Sequence, residues 1–111
     1  MKGVIGNEID LKVDETGPFP ARLLITKAVT QNLSVKKGVL KAGSVIKEHL
    51  HEDVDQFEYY PSGRALFYVE GVGEKEIMSG SFSYSPKGKK HAVKQVIEDL
   101  EIVTVFVPAF F

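Results

Sequence analysis

The sequence contains no cysteine and no tryptophan among its 111 residues. Without cysteine there can be no disulfide bonds and no thiolate metal ligands, so any bound metal must be held by nitrogen or oxygen atoms. No apolar run approaches the ~20 residues that a membrane-spanning helix needs, and the first residues contain no signal-peptide core. We therefore expect a cytoplasmic protein that does not bind membranes.

A charge excess of either sign is also missing. The chain carries 14 Lys and Arg against 15 Asp and Glu, a formal net charge of −1. This balance provides no general attraction to nucleic acid or to an anionic surface, so we expect no nucleic-acid partner. The length predicts one domain spanning 1–111. A chain this short buries only about two-thirds of the surface that its unfolded form exposes, so a bound metal or a second copy would add useful stability.

Helical periodicity is lacking, and short alternating segments separated by turn residues take its place. Ten strands are predicted, at 9–13, 21–26, 34–40, 44–51, 56–60, 64–69, 74–78, 81–85, 91–96 and 100–107. Gly38 is predicted to mark a β-bulge within the third of them. Many short strands punctuated by turns are typical of an all-β sandwich or barrel.

Histidine is scarce, and its three copies all lie between positions 49 and 91. His49 and His51 stand two residues apart, which places both imidazoles on the same face of a strand. His91 follows a turn that contains Pro86 and Gly88. Neutral imidazole is the commonest protein ligand for transition metals. The pattern therefore predicts a metal site built from these three side chains.

Two segments around the histidines resemble the signatures of the cupin superfamily. Residues 43–63 read G-x5-H-x-H-x4-Q-x6-G, where the family normally has Glu in place of Gln56. Residues 80–95 read G-x5-P-x-G-x2-H-x3-Q, where the family normally ends in Asn. The resemblance, to RmlC-like cupins, implies a double-stranded β-helix, which is a small jelly-roll barrel. It also implies one divalent transition metal ion (Fe, Mn, Ni, Zn, Cu or Co), held inside by His49, His51, His91 and the residue at position 56.

The fourth ligand has two candidates, Gln56 and Asp55. Their side chains point to opposite faces of a strand, because they are adjacent. The spacing to the following glycine favours Gln56, which places Glu58 on the inner face as a candidate general base. Apolar patterning favours the opposite parity, with Asp55 and Phe57 inward. A plainer interpretation of Glu58 is a rim residue in salt contact with Lys or Arg.

The resemblance covers dioxygenases, isomerases, decarboxylases and lyases, and also ligand-binding domains. We expect a metal-dependent enzyme acting on a small oxygen-rich organic molecule. The alternative is a non-catalytic ligand- or metal-binding module, such as a sensor or accessory protein. A clamp for a substrate carboxylate would use Arg22 or Arg64, the two arginines of the chain. The terminal Phe110 and Phe111 either fold back onto the barrel or form an oligomer contact, and the small size, this tail and the resemblance predict a homodimer.

Overall fold

The computed structural model describes residues 2–111, and nearly all of its regular structure is antiparallel β-strand. A 3-10 helix at Glu8–Asp10 comes first. The strands that follow are β1 (Val13–Asp14), β2 (Ala21–Ile25), β3 (Ser34–Leu40), β4 (Ile46–His49), β5 (Asp55–Val69), β6 (Gly73–Met78), β7 (Ser81–Ser85) and β8 (His91–Val107). Within these described residues, no helix is long and apolar enough to cross a membrane. The all-β prediction is confirmed.

Two long strands, β5 and β8, bend and run through both halves of the barrel. In one half the strands lie in the order β1-β2-β3-β8-β5-β7, where residues 55–59 of β5 pair with 103–107 of β8. In the other half β4 pairs with the start of β8, residues 65–69 of β5 pair with 91–96 of β8, and β6 pairs with β5. Two facing antiparallel sheets joined in this way form the predicted jelly-roll barrel.

The hydrophobic core lies between the two sheets and comes from alternate residues of their strands. Tyr60, Leu100 and Ile102 are almost completely buried. On the second half of β5, Ala65 and Phe67 point inward as the alternation predicts. This core holds the polar residues of β5 and β8 at fixed depths inside the barrel.

Gly63 marks the place where β5 passes from one sheet to the other. Its φ of +105° lies in the left-handed region that L side chains rarely adopt. A Cβ atom there would overlap the carbonyl oxygen of Asp99 and approach the Cα of Leu100. The absence of a side chain therefore lets β5 and β8 bend together.

The sequence predicts ten strands and residues 2–111 contain eight, because 56–60 joins 64–69 in β5 and 91–96 joins 100–107 in β8. The predictions at 9–13 and at Gly38 are also wrong, each for a visible reason. The predicted strand at 9–13 is reduced to Val13–Asp14, because the Asn7 side chain accepts a hydrogen bond from the Ile9 N–H and caps the 3-10 helix. Gly38 is not a bulge, since β3 pairs regularly with β8 throughout its length. Its missing side chain instead makes room for the ring of Phe19.

Candidate metal centre

Pairing between β4 and β8 brings two of the histidines together. His49 is the last residue of β4 and His91 the first of β8, and they are direct partners in the antiparallel register. His51 lies two residues beyond β4, so the predicted strand at 44–51 ends earlier than expected. The His51 carbonyl accepts a hydrogen bond from the Gly88 N–H at 2.7 Å, which holds it beside the turn that leads to His91.

The three imidazole rings form a compact cluster. The ring centroids are 4.3 Å apart for His49 and His91, 5.2 Å for His49 and His51, and 5.4 Å for His51 and His91. One ring nitrogen from each residue lies within 4.8 Å of the other two. The three histidines can therefore hold a metal ion.

His91 is buried without a hydrogen-bond partner for either ring nitrogen among the described residues. Burial, with the neighbouring His49 and His51 rings, lowers the pKa of His91 to about 4. Burial, followed by the effect of His49, also lowers the pKa of His51. Both rings are therefore neutral at pH 7, with lone pairs available to a cation.

The tautomer of His49 is set by the backbone. Its Nδ1 lies 2.7 Å from the Lys47 carbonyl oxygen. A carbonyl can only accept, so Nδ1 carries and donates a proton, and Nε2 is the ring nitrogen left to face a cation. A backbone contact of this kind orients a metal-binding imidazole.

Gln56 points into the barrel and Asp55 points away from it. The Gln56 amide lies beside the His51 ring and the Glu58 carboxyl group. Its Oε1 atom is buried and forms no hydrogen bond within residues 2–111. The Asp55 Oδ1 atom instead accepts a hydrogen bond from the Lys87 N–H at 2.9 Å. A buried carbonyl oxygen without a partner is costly, and a cation among the histidines would satisfy it.

This donor set fits a divalent transition metal ion. Three imidazole nitrogens and an amide oxygen are ligand types that Fe, Mn, Ni, Zn, Cu and Co all accept. The unpartnered atoms of His91 and Gln56 are buried in the same cavity, so they are available to one ion.

Glu58 is buried at the inner end of the cavity. Its Oε2 accepts a hydrogen bond from the Thr104 hydroxyl at 2.7 Å, and its Oε1 accepts one from the Tyr60 hydroxyl at 3.1 Å. The Tyr60 hydroxyl is also hydrogen-bonded to Ser83 Oγ at 2.7 Å. Burial raises the pKa of the Glu58 carboxyl group, against the lowering effect of these hydrogen bonds. The interpretation of Glu58 as an exposed rim residue is wrong, because the alternation of β5 turns it inward.

The cavity between the histidines and Glu58 has a volume of about 80 Å³. Its remaining wall is mostly apolar, and the residues that form it include Ile46, Phe67, Val93, Ile102 and Phe106. Such a wall keeps water away from a bound molecule and strengthens the electrostatic interactions inside.

The C-terminal tail packs against its own barrel at the histidine end. The Phe110 ring lies 4.9 Å from the His51 ring, centroid to centroid. The Phe110 N–H donates to Ser34 Oγ, and the Phe111 carbonyl accepts from the Lys27 N–H at 2.8 Å. The tail thus folds back onto its own barrel, which is the first of the two predicted alternatives, and it forms part of the cavity wall.

Sequence reasoning missed the cation of this cavity, Lys36. It assigned carboxylate recognition to arginine, but Arg64 forms an exposed ion pair with Glu76 and neither arginine lines the cavity. Alternation along β3 puts Lys36 on the face of the buried Ser34, but pairing with β8 decides that this face is the inner one, so the sequence alone contains no signal.

The fold places the chain among known structures. It matches KdgF from Halomonas sp. with a TM-score of 0.86 at 19% identity, over 98% of this chain and 96% of that one. It matches ectoine synthase from P. lautus with a TM-score of 0.85 at 17% identity, over 97% of this chain and 80% of that one. It matches an RmlC-like cupin from Shewanella frigidimarina with a TM-score of 0.80 at 19% identity, over 97% of this chain and 93% of that one. At these identities the likeness concerns the fold, and the chain has the cupin fold, a double-stranded β-helix.

A curated relative of higher sequence identity shows the family of the chain. The chain is 33% identical over 78 residues to the uncharacterized protein SCO3923 from Streptomyces coelicolor, a match that covers 70% of this chain and 72% of that protein. The chain belongs to the same family as this relative. No protein-family model matches it.

Proposed function

We propose that this cupin is a metal-dependent enzyme that acts on a small, oxygen-rich organic molecule. The supporting observation is a cavity that joins the three imidazoles to the buried carboxyl group of Glu58. One divalent transition metal ion would be held by His49, His51, His91 and Gln56. Such an ion, when bound, supplies Lewis acidity toward chelating oxygens or, if it is redox-active, a route to oxygen chemistry.

Glu58 is the candidate acid or base of the reaction. Hydrogen bonds from Thr104 and Tyr60 fix the orientation of its carboxyl group, and burial raises its pKa. Among the enzyme classes that the resemblance covers, this residue favours an isomerase or lyase, in which a proton moves, over a dioxygenase.

The test is turnover by the full chain, without a histidine tag, loaded separately with each of the six metals. Small oxo-, hydroxy- and sugar acids are followed by NMR. We expect product with at least one metal, and a loss of ~10²–10⁴-fold in kcat for Glu58→Gln at unchanged metal content. Glu76→Gln, which removes an exposed carboxylate, is the control and should leave kcat unchanged.

Two results would overturn this function. If the chain binds metal but converts no compound, while one of them raises its melting temperature, the protein is the non-catalytic binding module. If Glu58→Gln turns over at the wild-type rate, Glu58 is not the acid or base.

The quaternary structure that we propose is a homodimer formed through the outer face of β5 and β7. Four aromatic side chains lie there on directly paired positions: Phe57 opposite Tyr84, and Tyr59 opposite Phe82. Their exposed fractions run from 40% for Phe57 to 69% for Phe82. A contiguous exposed aromatic patch on a sheet face suits a self-complementary two-fold contact, the commonest arrangement in homo-oligomers.

The dimer predicts a mass change on substitution of this patch. The wild-type chain should elute at twice its monomer mass in size-exclusion chromatography with light scattering. The double variant Phe82→Ser, Tyr84→Ser should be monomeric at the same concentration. Val45→Ser, which changes an exposed residue just before β4, should remain dimeric. A monomeric wild type, or a dimeric double variant, contradicts the assignment.

A further inference from the structure

A lysine side chain shares the cavity with the histidines. Lys36 lies on β3, directly opposite Thr104 of β8, which is in turn opposite Glu58 of β5. The three residues therefore form one transverse row across the inner face of the sheet. Besides the three histidines, Lys36 and Glu58 are the two residues of the cavity wall with ionisable side chains.

The ammonium group of Lys36 has no ion pair or hydrogen bond with any residue in the described part of the chain. The adjacent Lys37 faces outward, and its Nζ lies 3.0 Å from Glu8 Oε1 and 3.9 Å from Glu101 Oε1. The Lys36 Nζ instead lies over the Phe19 ring, 4.6 Å from its centroid. Neighbouring lysines thus differ sharply in environment, and the inner one keeps its hydrogen-bond donors free.

The Lys36 ammonium group is partly removed from water. Burial lowers the pKa of Lys36, while the carboxylates of Glu58 and Asp14 oppose this shift. A partly desolvated cation that lacks an ion pair gains more from an incoming anion than a solvated surface lysine does.

The size and charge of the cavity restrict this anion. A volume of about 80 Å³ is well below the ~300–1,000 Å³ of pockets that hold drug-sized ligands. A dianion such as phosphate fits poorly, because it would bring two negative charges to a single cation and would lie close to the Glu58 carboxyl group in the same row. A carboxylate carries one charge and matches the single lysine.

We propose, on the basis of the function proposed above, that Lys36 binds the carboxylate of the substrate. The substrate is then a small oxo- or hydroxycarboxylate whose second oxygen group faces the histidines. Lys36 is a specificity-determining residue in this arrangement, because it distinguishes acids from neutral compounds of the same shape.

Calorimetric titration of the metal-loaded chain tests this assignment. Pyruvate and lactate are compared with their neutral counterparts hydroxyacetone and propane-1,2-diol. We expect both acids to bind at least ~10-fold more tightly than the neutral compounds, because a hydrogen bond between two charged groups contributes enough binding free energy for a difference of this size. Lys36→Gln should remove this preference, Lys36→Arg should restore part of it, and Lys37→Gln should leave it unchanged.

The metal affinity of each variant is measured in the same preparations, which separates this inference from the proposed function. Wild-type metal affinity in Lys36→Gln, together with weaker binding of the acids, supports the inference whether or not turnover is found. Equal binding of acids by the wild type and Lys36→Gln, or no preference for acids in the wild type, overturns it. Failure of the chain to bind metal contradicts the proposed function, and the acid titration on metal-free protein then decides the role of Lys36.

Discussion

His91→Ala is expected to weaken metal binding by at least ~100-fold while the barrel remains folded. Loss of a group that merely orients a ligand costs ~10–100-fold in metal affinity, so loss of the ligand itself should cost more. The ring nitrogens of His91 have no partner in the described chain, so alanine leaves no hydrogen-bonding group unsatisfied. The measurement is calorimetric titration of chelator-treated protein with each metal, and elemental mass spectrometry of the protein as purified.

Variants of the neighbouring residues determine which side chains form the ligand set. His49→Ala should behave as His91→Ala does. Gln56→Ala should weaken metal binding ~10–100-fold. Asp55→Ala should have a smaller effect, because the Asp55 carboxylate points away from the barrel interior and caps the turn at Lys87. Asp55→Asn keeps an acceptor oxygen for that turn and should match the wild type.

Two results would contradict the assignment. Unchanged metal stoichiometry in both histidine variants would place the metal elsewhere. Weaker binding in Asp55→Asn than in Gln56→Ala would make the carboxylate the fourth ligand.

The histidine cluster could be predicted from the spacing of His49 and His51 and from the turn with proline and glycine before His91. The register of β4 against β8, which makes His49 and His91 direct partners, came from the fold. The parity at Asp55 and Gln56 was harder to predict, since β5 begins at Asp55, directly after an irregular corner. The structure places Gln56 inward through pairing with Phe106 and Ser85, which lie far from it in the sequence.

The polar row behind the histidines depends on pairing between distant strands. Glu58 and Thr104 are hydrogen-bonded across 46 positions of sequence. Lys36 and Lys37 are chemically identical neighbours, and only the packing of β3 against β8 decides which of them faces the cavity. Local patterns contain no information about cross-strand register, so this part of the site required the fold.

Gly63→Ala is expected to lower the free energy of unfolding by about 2–4 kcal/mol. Left-handed backbone at a residue with a Cβ costs ~1–2 kcal/mol, and the overlap with Asp99 and Leu100 adds an overpacking cost of similar size. Both overlapping groups are main-chain atoms, so relief requires a shift of β8 itself. Equilibrium unfolding in urea, on metal-free protein, measures the difference.

Gly80→Ala is the matched control for this substitution. Gly80 has a φ of +89° and belongs to the second signature, but a Cβ there would meet no atom within 4 Å. Its expected cost is therefore the backbone strain alone, ~1–2 kcal/mol. Equal losses for the two variants would show that close approach of β5 and β8 is not the reason for glycine at position 63. If Gly63→Ala does not accumulate as folded protein while Gly80→Ala does, close approach of β5 and β8 is supported as the reason for glycine at position 63, because of the two positions only Gly63 brings the added methyl group against main-chain atoms.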